Sequence, residues 1–261
     1  MSVQKSRREL ETMARACRIV VDTLDVLEAA AQPGVSTREL DRIAHDCIVK
    51  AGAKPAFLGY RGYPASLCIS VNDEVVHGIP GPRKLKGGDI VGLDLGCIVD
   101  GFFGDAARTV AIGEVSPEAR RLMRVTEECL RAAIEHCHPG RRVGDLGHAV
   151  QSHAEGNGYS VVREFVGHGI GTSLHEEPQI PNYGPAGRRE RLRAGMCLAI
   201  EPMVNVGGPE VRVLDDEWTA VTLDGSLSAH FELTVAVTND GPWILSEPFP
   251  YGGAQRESHA G

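Results

Sequence analysis

The sequence predicts an α+β fold made of two similar halves. Predicted helices come in runs and are followed by predicted strands, which favours separate helical and sheet layers over alternating strand–helix units. The order helix–helix–strand–hairpin occurs twice, and Pro33, just after the first helix, corresponds to Pro139, 106 positions later. Matching offsets of this kind indicate an internal repeat. We therefore expect a pseudo-twofold arrangement around a central antiparallel sheet.

The first half begins with two predicted helices and a loop. Apolar residues between about positions 8 and 31 recur at the spacing of an amphipathic helix, which Pro33-Gly34 ends. Ser36 or Thr37 is expected to cap a second helix. Residues 54–80 are rich in aromatic residues and are predicted to form a loop.

A hairpin is predicted at residues 88–110, with its turn at Asp100-Gly101. Two acidic residues, Asp94 and Asp105, interrupt its apolar strands. A buried carboxylate costs several kcal/mol unless a cation lies beside it. Arg108 is the only basic residue of the hairpin, so a divalent metal ion is the natural partner for the two acids.

The second half repeats this plan. A helix is predicted from about residue 117 to 137, and another helix follows it. The segment LKGGDIVGLD at 85–94 then matches LRAGMCLAIE at 192–201. This match makes Glu201 the counterpart of Asp94, and therefore a second source of carboxylate ligands.

Two further candidate ligands follow from their surroundings: Glu232 interrupts the apolar strand HFELTVAV, and His168 lies between glycines in FVGHGIG. The complete set has four carboxylates and one imidazole: Asp94, Asp105, His168, Glu201 and Glu232. Alone, each carboxylate would be read as a strand-edge residue and the histidine as a core residue. Together, four negative charges balance two divalent ions, and this donor set suits Mn²⁺, Fe²⁺ or Co²⁺, with Zn²⁺ also compatible. Two ions that share a water activate it for hydrolysis.

His77 and His175 each follow a short apolar segment and precede a loop. A dinuclear hydrolase needs a donor for the developing oxyanion and a group that orients the substrate. An imidazole can serve either purpose, and it can equally be structural, so the spacing leaves both roles open.

Five motifs in this order closely resemble the type I methionine aminopeptidases, and the resemblance extends from about residue 8 to 246. The motifs are VNDEVVHGIP (71–80), GLDLG…GFFGDAART (92–109), VGHGIGTSLHEEP (166–178), LAIEPM (198–203) and WTAVTLDGSLSAHFELTVAVT (218–238). The resemblance implies the pita-bread fold, with a dinuclear metal site at its centre. It also implies that Asp94 serves one ion, His168 and Glu201 the other, and that Asp105 and Glu232 bridge both.

The resemblance further implies a mechanism. Water activated by the two ions attacks the carbonyl after an N-terminal methionine, with Glu201 as proton shuttle. His175 stabilises the tetrahedral intermediate, and His77 holds the substrate near the scissile nitrogen. The free amine binds a metal ion, and a small second residue is preferred.

The methionine pocket implied by the resemblance contains aromatic, sulfur and aliphatic groups, which suit an unbranched thioether. Its residues are Phe57, Tyr60, Tyr63, Cys68, Leu174 and Trp218. Two positions depart from the commonest family pattern: Phe57 stands where Cys is frequent, and Leu174 stands where Phe is frequent. The two changes in size are opposite, so we expect them to compensate.

Composition and charge disfavour several classes of function. The net charge is −8 and no basic run exceeds two residues, so neither nucleic-acid nor membrane binding is indicated. The seven cysteines are scattered, which favours free thiols in a reducing cytoplasm. The family resemblance implies a monomer whose substrates are peptides and nascent chains, in transient proximity to ribosomes.

The expected domain organisation is simple. Residues 1–7 are predicted to be a flexible N-terminus, and residues 251–261 a disordered, glycine-rich tail. Residues 8–250 are predicted to form a single catalytic domain, whose halves span about 8–115 and 116–250.

Two other functions deserve comparison. An X-Pro-cleaving aminopeptidase or dipeptidase would share the fold and the five ligands. That class usually has a separate N-terminal domain and lacks the GYRGYP loop combined with a Trp shortly before the last ligand Glu. A non-catalytic binding protein on the same fold would have lost ligands, whereas this sequence keeps all five. The methionine aminopeptidase prediction is therefore preferred.

Overall fold

The computed structural model describes residues 4–247. Four α-helices lie in this range: α1 Arg7–Ala30, α2 Thr37–Lys50, α3 Pro117–Ile134 and α4 Val143–Gly156. The strands are β1 Lys54–Pro55, β2 Cys68–Val71, β3 Glu74–Val76, β4 Ile90–Val99, β5 Phe102–Ala111, β6 Ser160–Val161, β7 Gly167–Gly169, β8 Glu176–Ile180, β9 Cys197–Ile200, β10 Met203–Asn205, β11 Val211–Val213, β12 Ala220–Thr222, β13 Ser228–His230, β14 Glu232–Thr238 and β15 Gly241–Ile244. None of the helices in the described range is long and apolar enough to cross a bilayer.

Serine residues start three of the four helices. Ser6 and Ser36 each accept a hydrogen bond from the backbone N–H three residues later, and Glu9 and Glu39 complete the two capping boxes. Ser36, rather than Thr37, is therefore the cap of α2. Ser116 caps α3, whose first residue is a proline with no N–H to satisfy.

The main sheet is antiparallel and has the predicted pseudo-twofold arrangement. Its principal strand order is β1-β4-β5-β14-β9-β7-β8, with β2 paired to β4 and β15 paired to β14. The hairpin β4–β5 is in register from Ile90↔Ala111 to Val99↔Phe102. Because β5 lies beside β14, β4 and β9 occupy equivalent positions on either side of the centre. The predicted α+β fold around an antiparallel sheet is confirmed.

Each half has its own helical layer and hydrophobic core. The core under α1 and α2 includes the fully buried Met13 and Leu93, and the core under α3 and α4 includes Leu122 and Val235. Leu233 packs against both cores and links the halves. Full burial of such a side chain contributes about 1.5–3 kcal/mol.

The close approach of α1 to the sheet requires glycine at position 104. A Cβ atom at Gly104 would lie 2.5 Å from the backbone nitrogen of Cys17 and 2.9 Å from the Cβ of Ala16. No side chain fits this contact without moving the helix. Gly104 therefore fixes the position of α1 over β5, one residue from Asp105.

The prediction that residues 54–80 form a loop is wrong in part. Strand β2 pairs with β4 in the register Cys68↔Asp94 to Val71↔Val91, and β3 pairs with β12. All four residues of β2 are buried, so the strand lacks the alternation of polar and apolar residues that marks a half-exposed strand.

Residues at the two ends of the chain bear on the predicted termini. In the segment predicted to be flexible, Lys5 is buried, its N–H donates to the carbonyl of Gly195, and its ammonium group pairs with Glu176. Lys5 thus contacts the second half of the molecule. The predicted tail at 251–261 lies outside the described residues.

Candidate metal centre and active-site cavity

A cavity of about 160 Å³ opens at the centre of the main sheet. It is lined by all thirteen predicted site residues and by Arg61: Phe57, Tyr60, Tyr63, Cys68, His77, Asp94, Asp105, His168, Leu174, His175, Glu201, Trp218 and Glu232. The structure therefore brings together residues that are up to 175 positions apart in the sequence.

Strand register explains why the acids of β4, β5 and β14 meet. Ala107 of β5 lies opposite both Asp94 and Glu232 on its two neighbouring strands. Asp105 lies two residues from Ala107, and residues two apart along a strand point to the same face. Asp94, Asp105 and Glu232 consequently share one face of the sheet.

The ligands from the second half lie on this face as well. Leu233 pairs with Ile200, so Glu232 and Glu201 form the next pair as the strands continue. His168 pairs with Ala199, which lies two residues before Glu201. All five predicted metal ligands therefore project from the same face.

The acidic cluster is buried and short of hydrogen bonds. Asp105 and Glu232 are buried, and Asp94 and Glu201 line the cavity wall half-buried. Within residues 4–247, the oxygens Asp94 Oδ1, Asp105 Oδ1 and Glu232 Oε1 are buried and have no hydrogen-bond partner. A buried polar atom without a partner is destabilising, so these oxygens require a ligand.

Electrostatics indicate that the missing ligand is a cation. Burial, together with neighbouring acids, raises the pKa of Asp94, Glu201 and Glu232 well above the usual range. Burial raises the pKa of Asp105 to about 7. Arg108 does not neutralise the cluster, because its guanidinium binds Asp25 and Glu28 of α1 at 2.8 and 2.9 Å.

The donor set fits divalent metal ions. Ligand atoms of Asp105, His168 and Glu232 lie within 4.8 Å of one another. His168 Nε2 is 3.5 Å from Glu201 Oε1. The Nδ1–H of His168 donates to the carbonyl of Gly169 at 3.0 Å, which leaves Nε2 as the free ligand atom. Burial lowers the pKa of His168 to about 3, which keeps the ring neutral.

The two remaining predicted histidines line the cavity near its aromatic side. His175 Nδ1 and the Tyr60 hydroxyl are 2.7 Å apart, and the two rings stack. Partial burial and then the Arg61 guanidinium lower the pKa of His175. His77 has its ring edge-on to Trp218, and burial lowers its pKa to about 4. Both rings are therefore neutral at pH 7.

The predicted methionine pocket is apolar apart from its edges. Tyr63 is anchored by its hydroxyl, which donates to the carbonyls of Leu67 and Gly78, and its ring packs edge-on to Trp218. Burial raises the pKa of the Cys68 thiol, which keeps it uncharged. Gly96 makes room for Phe57, since a Cβ at Gly96 would lie 3.0 Å from the Phe57 ring.

Two residues of this region, Arg61 and His230, were not predicted from the sequence. Arg61 lines the cavity, with its guanidinium 5.4 Å from the centre of the Tyr60 ring. His230 is buried, and its Nε2 lies 3.9 Å from Glu201 Oε2 and 4.0 Å from Glu232 Oε2. His230 stands two residues before Glu232, and this spacing is the sequence signal that could have marked it as a neighbour of the candidate ligands.

Comparison with known proteins identifies the family. The sequence profile of metallopeptidase family M24 matches residues 11–239. The chain is 51% identical over 246 residues to the methionine aminopeptidase of Clostridium perfringens, covering 94% of this chain and 99% of that protein. Methionine aminopeptidase 1 of Bacillus subtilis is 50% identical over 246 residues, with the same coverage.

Solved structures agree with the sequence comparison. The crystal structure of methionine aminopeptidase from Thermotoga maritima has a TM-score of 0.93 at 45% identity, covering 95% of this chain and 100% of that one. Prolidase from Pyrococcus furiosus has a TM-score of 0.77 at 23% identity over 95% of this chain and 66% of its own, and shows the fold alone. The predicted pita-bread fold is confirmed. The chain belongs to metallopeptidase family M24 and, within it, to the methionine aminopeptidases.

Proposed function

We propose that this protein removes the N-terminal methionine from peptides and nascent chains in a metal-dependent hydrolysis. The observation that carries the proposal is the buried cluster of four carboxylates and one imidazole, with three unpartnered oxygens, beside an apolar pocket. Family membership supplies the reaction class, and the cavity contains a group for each task that the reaction requires.

The proposed ligand arrangement uses both halves of the molecule. Asp94 would hold one ion, His168 and Glu201 the other, and Asp105 and Glu232 would contact both. Mn²⁺, Fe²⁺ and Co²⁺ suit this oxygen-rich set, and Zn²⁺ is a further candidate. When bound, the ions supply a water of lowered pKa and polarise the peptide carbonyl.

Side chains of the protein transfer the proton and stabilise the oxyanion. Glu201 takes the proton of the attacking water and delivers it to the leaving nitrogen. The 2.7 Å contact allows the Tyr60 hydroxyl to donate to Nδ1 of His175, and in that tautomer the Nε2–H of His175 is free to donate to the oxyanion. His77, a neutral ring held against Trp218, hydrogen-bonds the substrate near the scissile nitrogen.

The methionine pocket sets specificity. Phe57, Tyr63, Cys68 and Leu174 are buried and offer a polarisable apolar wall to a thioether. A cavity of about 160 Å³ has room for one such side chain and little beyond it, so a small second residue is favoured.

The wider context is proposed from the same observations. Residues 8–250 act as one catalytic domain, because Asp94 and Asp105 come from one half and the other three ligands from the second. We propose a cytoplasmic monomer that meets nascent chains in transient proximity to ribosomes, in keeping with the family's substrates.

The test is hydrolysis of Met-Ala-Ser and of Ala-Pro-Ala by chelator-treated protein. Mn²⁺, Fe²⁺, Co²⁺ or Zn²⁺ is added back singly. We expect methionine release that depends on added metal and no cleavage of the proline peptide. Cleavage of Ala-Pro-Ala alone would assign the protein to X-Pro hydrolysis. Failure to cleave either peptide, in folded protein with every metal, would favour a binding function.

A further inference from the structure

His230 lies behind the proposed metal centre. It ends β13, is buried, and does not line the cavity. Its Nε2 has no hydrogen-bond partner within residues 4–247. The nearest acidic atoms are Glu201 Oε2 at 3.9 Å and Glu232 Oε2 at 4.0 Å. A buried ring nitrogen of this kind is expected to have a partner in the complete site.

The backbone of His230 is fixed on both sides. Its N–H donates to the Thr109 hydroxyl at 2.9 Å, and the same hydroxyl donates to the His230 carbonyl at 2.9 Å. Strand β13 also pairs with β10 in the register Met203↔His230. Because Thr109 belongs to β5, the imidazole is held in a defined position relative to the hairpin that carries Asp105.

The two glutamates divide their oxygens between two directions. In Glu201, Oε1 faces His168 Nε2 at 3.5 Å, whereas Oε2 faces His230. In Glu232, Oε2 faces His230, and Oε1 is buried without a partner. One oxygen of Glu201 is thus available to the metal side while the other is turned toward His230 Nε2, and Glu232 Oε2 approaches the same imidazole nitrogen.

Two other histidines of this chain have a ring nitrogen at hydrogen-bond distance from a partner. His45 Nδ1 lies 3.0 Å from the Ser66 hydroxyl, and His153 Nε2 lies 3.0 Å from Glu128. His230 has no comparable contact at Nε2, although two carboxylates are within reach. His136 Nδ1 is likewise buried without a partner, but within residues 4–247 only His230 combines an unpartnered ring nitrogen with carboxylate oxygens 3.9 and 4.0 Å away.

We propose that His230 is a positioning residue of the metal centre. Its Nε2–H donates a hydrogen bond to the outward oxygen of Glu201 or Glu232 and fixes the carboxylate in the orientation that binds metal. A side-chain movement of about 1 Å brings the present distances to hydrogen-bond length. Groups that orient metal ligands in this way are usually worth 10–100-fold in metal affinity or activity. The inference rests on the proposed ligand set.

The experiment is calorimetric titration of metal-free protein with Mn²⁺, for wild type and three variants. In His230→Gln, the side-chain amide can place an N–H near the position of Nε2; in His230→Asn the amide reaches only the position of Nδ1; His230→Leu has no donor. We expect His230→Leu to bind about 10–100-fold more weakly and still to bind two ions at saturation. His230→Gln should recover affinity to within about threefold of wild type, and His230→Asn should not.

Two control variants distinguish a failure of the His230 proposal from a failure of the proposed ligand set. His153→Leu removes a paired histidine that does not line the cavity and should leave Mn²⁺ affinity unchanged. Asp105→Ala should abolish tight binding, and if it binds like wild type, the ligand set itself fails. Thermal unfolding of metal-free His230→Leu should match or exceed wild type, because an unpartnered buried polar group is removed.

Three results would overturn the proposal. If His230→Leu binds Mn²⁺ with wild-type affinity, His230 has no role in metal binding. Binding of a single ion by that variant would make His230 a direct ligand instead. Equal affinities of the Gln and Asn variants would show that a donor at Nε2 is not what matters, and this pair decides the question even if His230→Leu does not fold.

Discussion

The proposed metal centre and methionine pocket share one cavity, but different kinds of structure hold them. The metal candidates lie on or beside paired strands of the central sheet, where register alone aligns them on one face. Much of the pocket comes from connections, such as the turn at Tyr60–Gly62 and the loop that carries Leu174 and His175. The sheet therefore determines the chemistry of the site, and the loops determine which substrate side chain fits.

The two regions also differ in how completely their polar groups are hydrogen-bonded. The pocket's Tyr63 hydroxyl already has two acceptors, and its other walls are apolar. The acidic cluster has unpartnered oxygens and carboxyl groups whose pKa values are raised. The pocket is therefore complete without a ligand, whereas the cluster requires cations. Substitutions in the cluster should abolish turnover, and substitutions in the pocket should change KM.

The largest effect is expected from Asp105→Ala. This change removes a carboxylate proposed to contact both ions, so metal binding and hydrolysis should be lost together. Several kcal/mol of transition-state stabilisation correspond to a fall of about 10³-fold or more in kcat/KM for Met-Ala-Ser. Asp22→Ala, on the exposed side of α1, is the matched control. Retention of activity within tenfold would remove Asp105 from the centre.

Glu201→Gln separates proton transfer from binding. The amide has nearly the shape of the carboxylate but cannot carry the proton, so kcat should fall about 10²–10⁴-fold while KM changes little. Measuring kcat and KM at saturating metal makes the distinction. Glu135→Gln, an exposed change of the same kind, should leave both constants as they are. Near-normal turnover of Glu201→Gln would contradict the shuttle role.

The pH dependence of thermal stability should reflect the ionisation of the acidic cluster and not of the methionine pocket. In metal-free protein, Asp105 has a pKa of about 7, and the other three carboxyl groups are also raised. Above the unfolded-state values near 4, the native state binds more protons than the unfolded state, so stability falls as pH rises. Buried His77, His168 and His230 have lowered pKa values and act oppositely, but only below about pH 6.5.

The informative window is therefore pH 6.5 to 8. Metal-free protein should unfold at progressively lower temperature across this window, and the gain in Tm on adding Mn²⁺ should grow with pH. Asp105→Asn should flatten the metal-free profile, because it removes one of the raised groups. A Tm of the metal-free wild type that does not change between pH 6.5 and 8 would contradict the raised pKa values.

Much of this site could be predicted because register and repetition are properties of the sequence. Asp94 and Asp105 stand out as acids in apolar strands, and the repeat extends the argument to Glu201. Once the strands are aligned, alternation places all of them on one face. The five motifs then fix the family, which the comparisons confirm.

The parts that were missed depend on three-dimensional contacts. Strand β2 forms because it pairs with β4. Its four residues are all buried, so the sequence lacks the alternation of polar and apolar residues that would have predicted a strand. Arg108 pairs with acids of α1 that lie about 80 positions earlier, which no local pattern reveals. The spacing of His230 and Glu232 is visible in the sequence, but the proximity of His230 to Glu201 follows from the pairing of β13 with β10, about 25 positions earlier.

The smallest effect is expected from substitutions of Phe57 and Leu174, which test whether these two residues compensate for each other in pocket volume. Leu174→Phe alone adds bulk to the cavity wall that Phe57 also lines. Overpacking typically costs about 1–3 kcal/mol, so KM for Met-Ala-Ser should rise roughly tenfold. Phe57→Cys alone opens space and should raise KM only a few-fold. The double variant should return part of the way toward wild type, because the two changes in volume are opposite in sign. Residues in contact show such coupling, whereas independent sites add. Additive effects of the two changes on KM would mean that Phe57 and Leu174 contact the methionine separately, and the pocket would then consist of two independent walls.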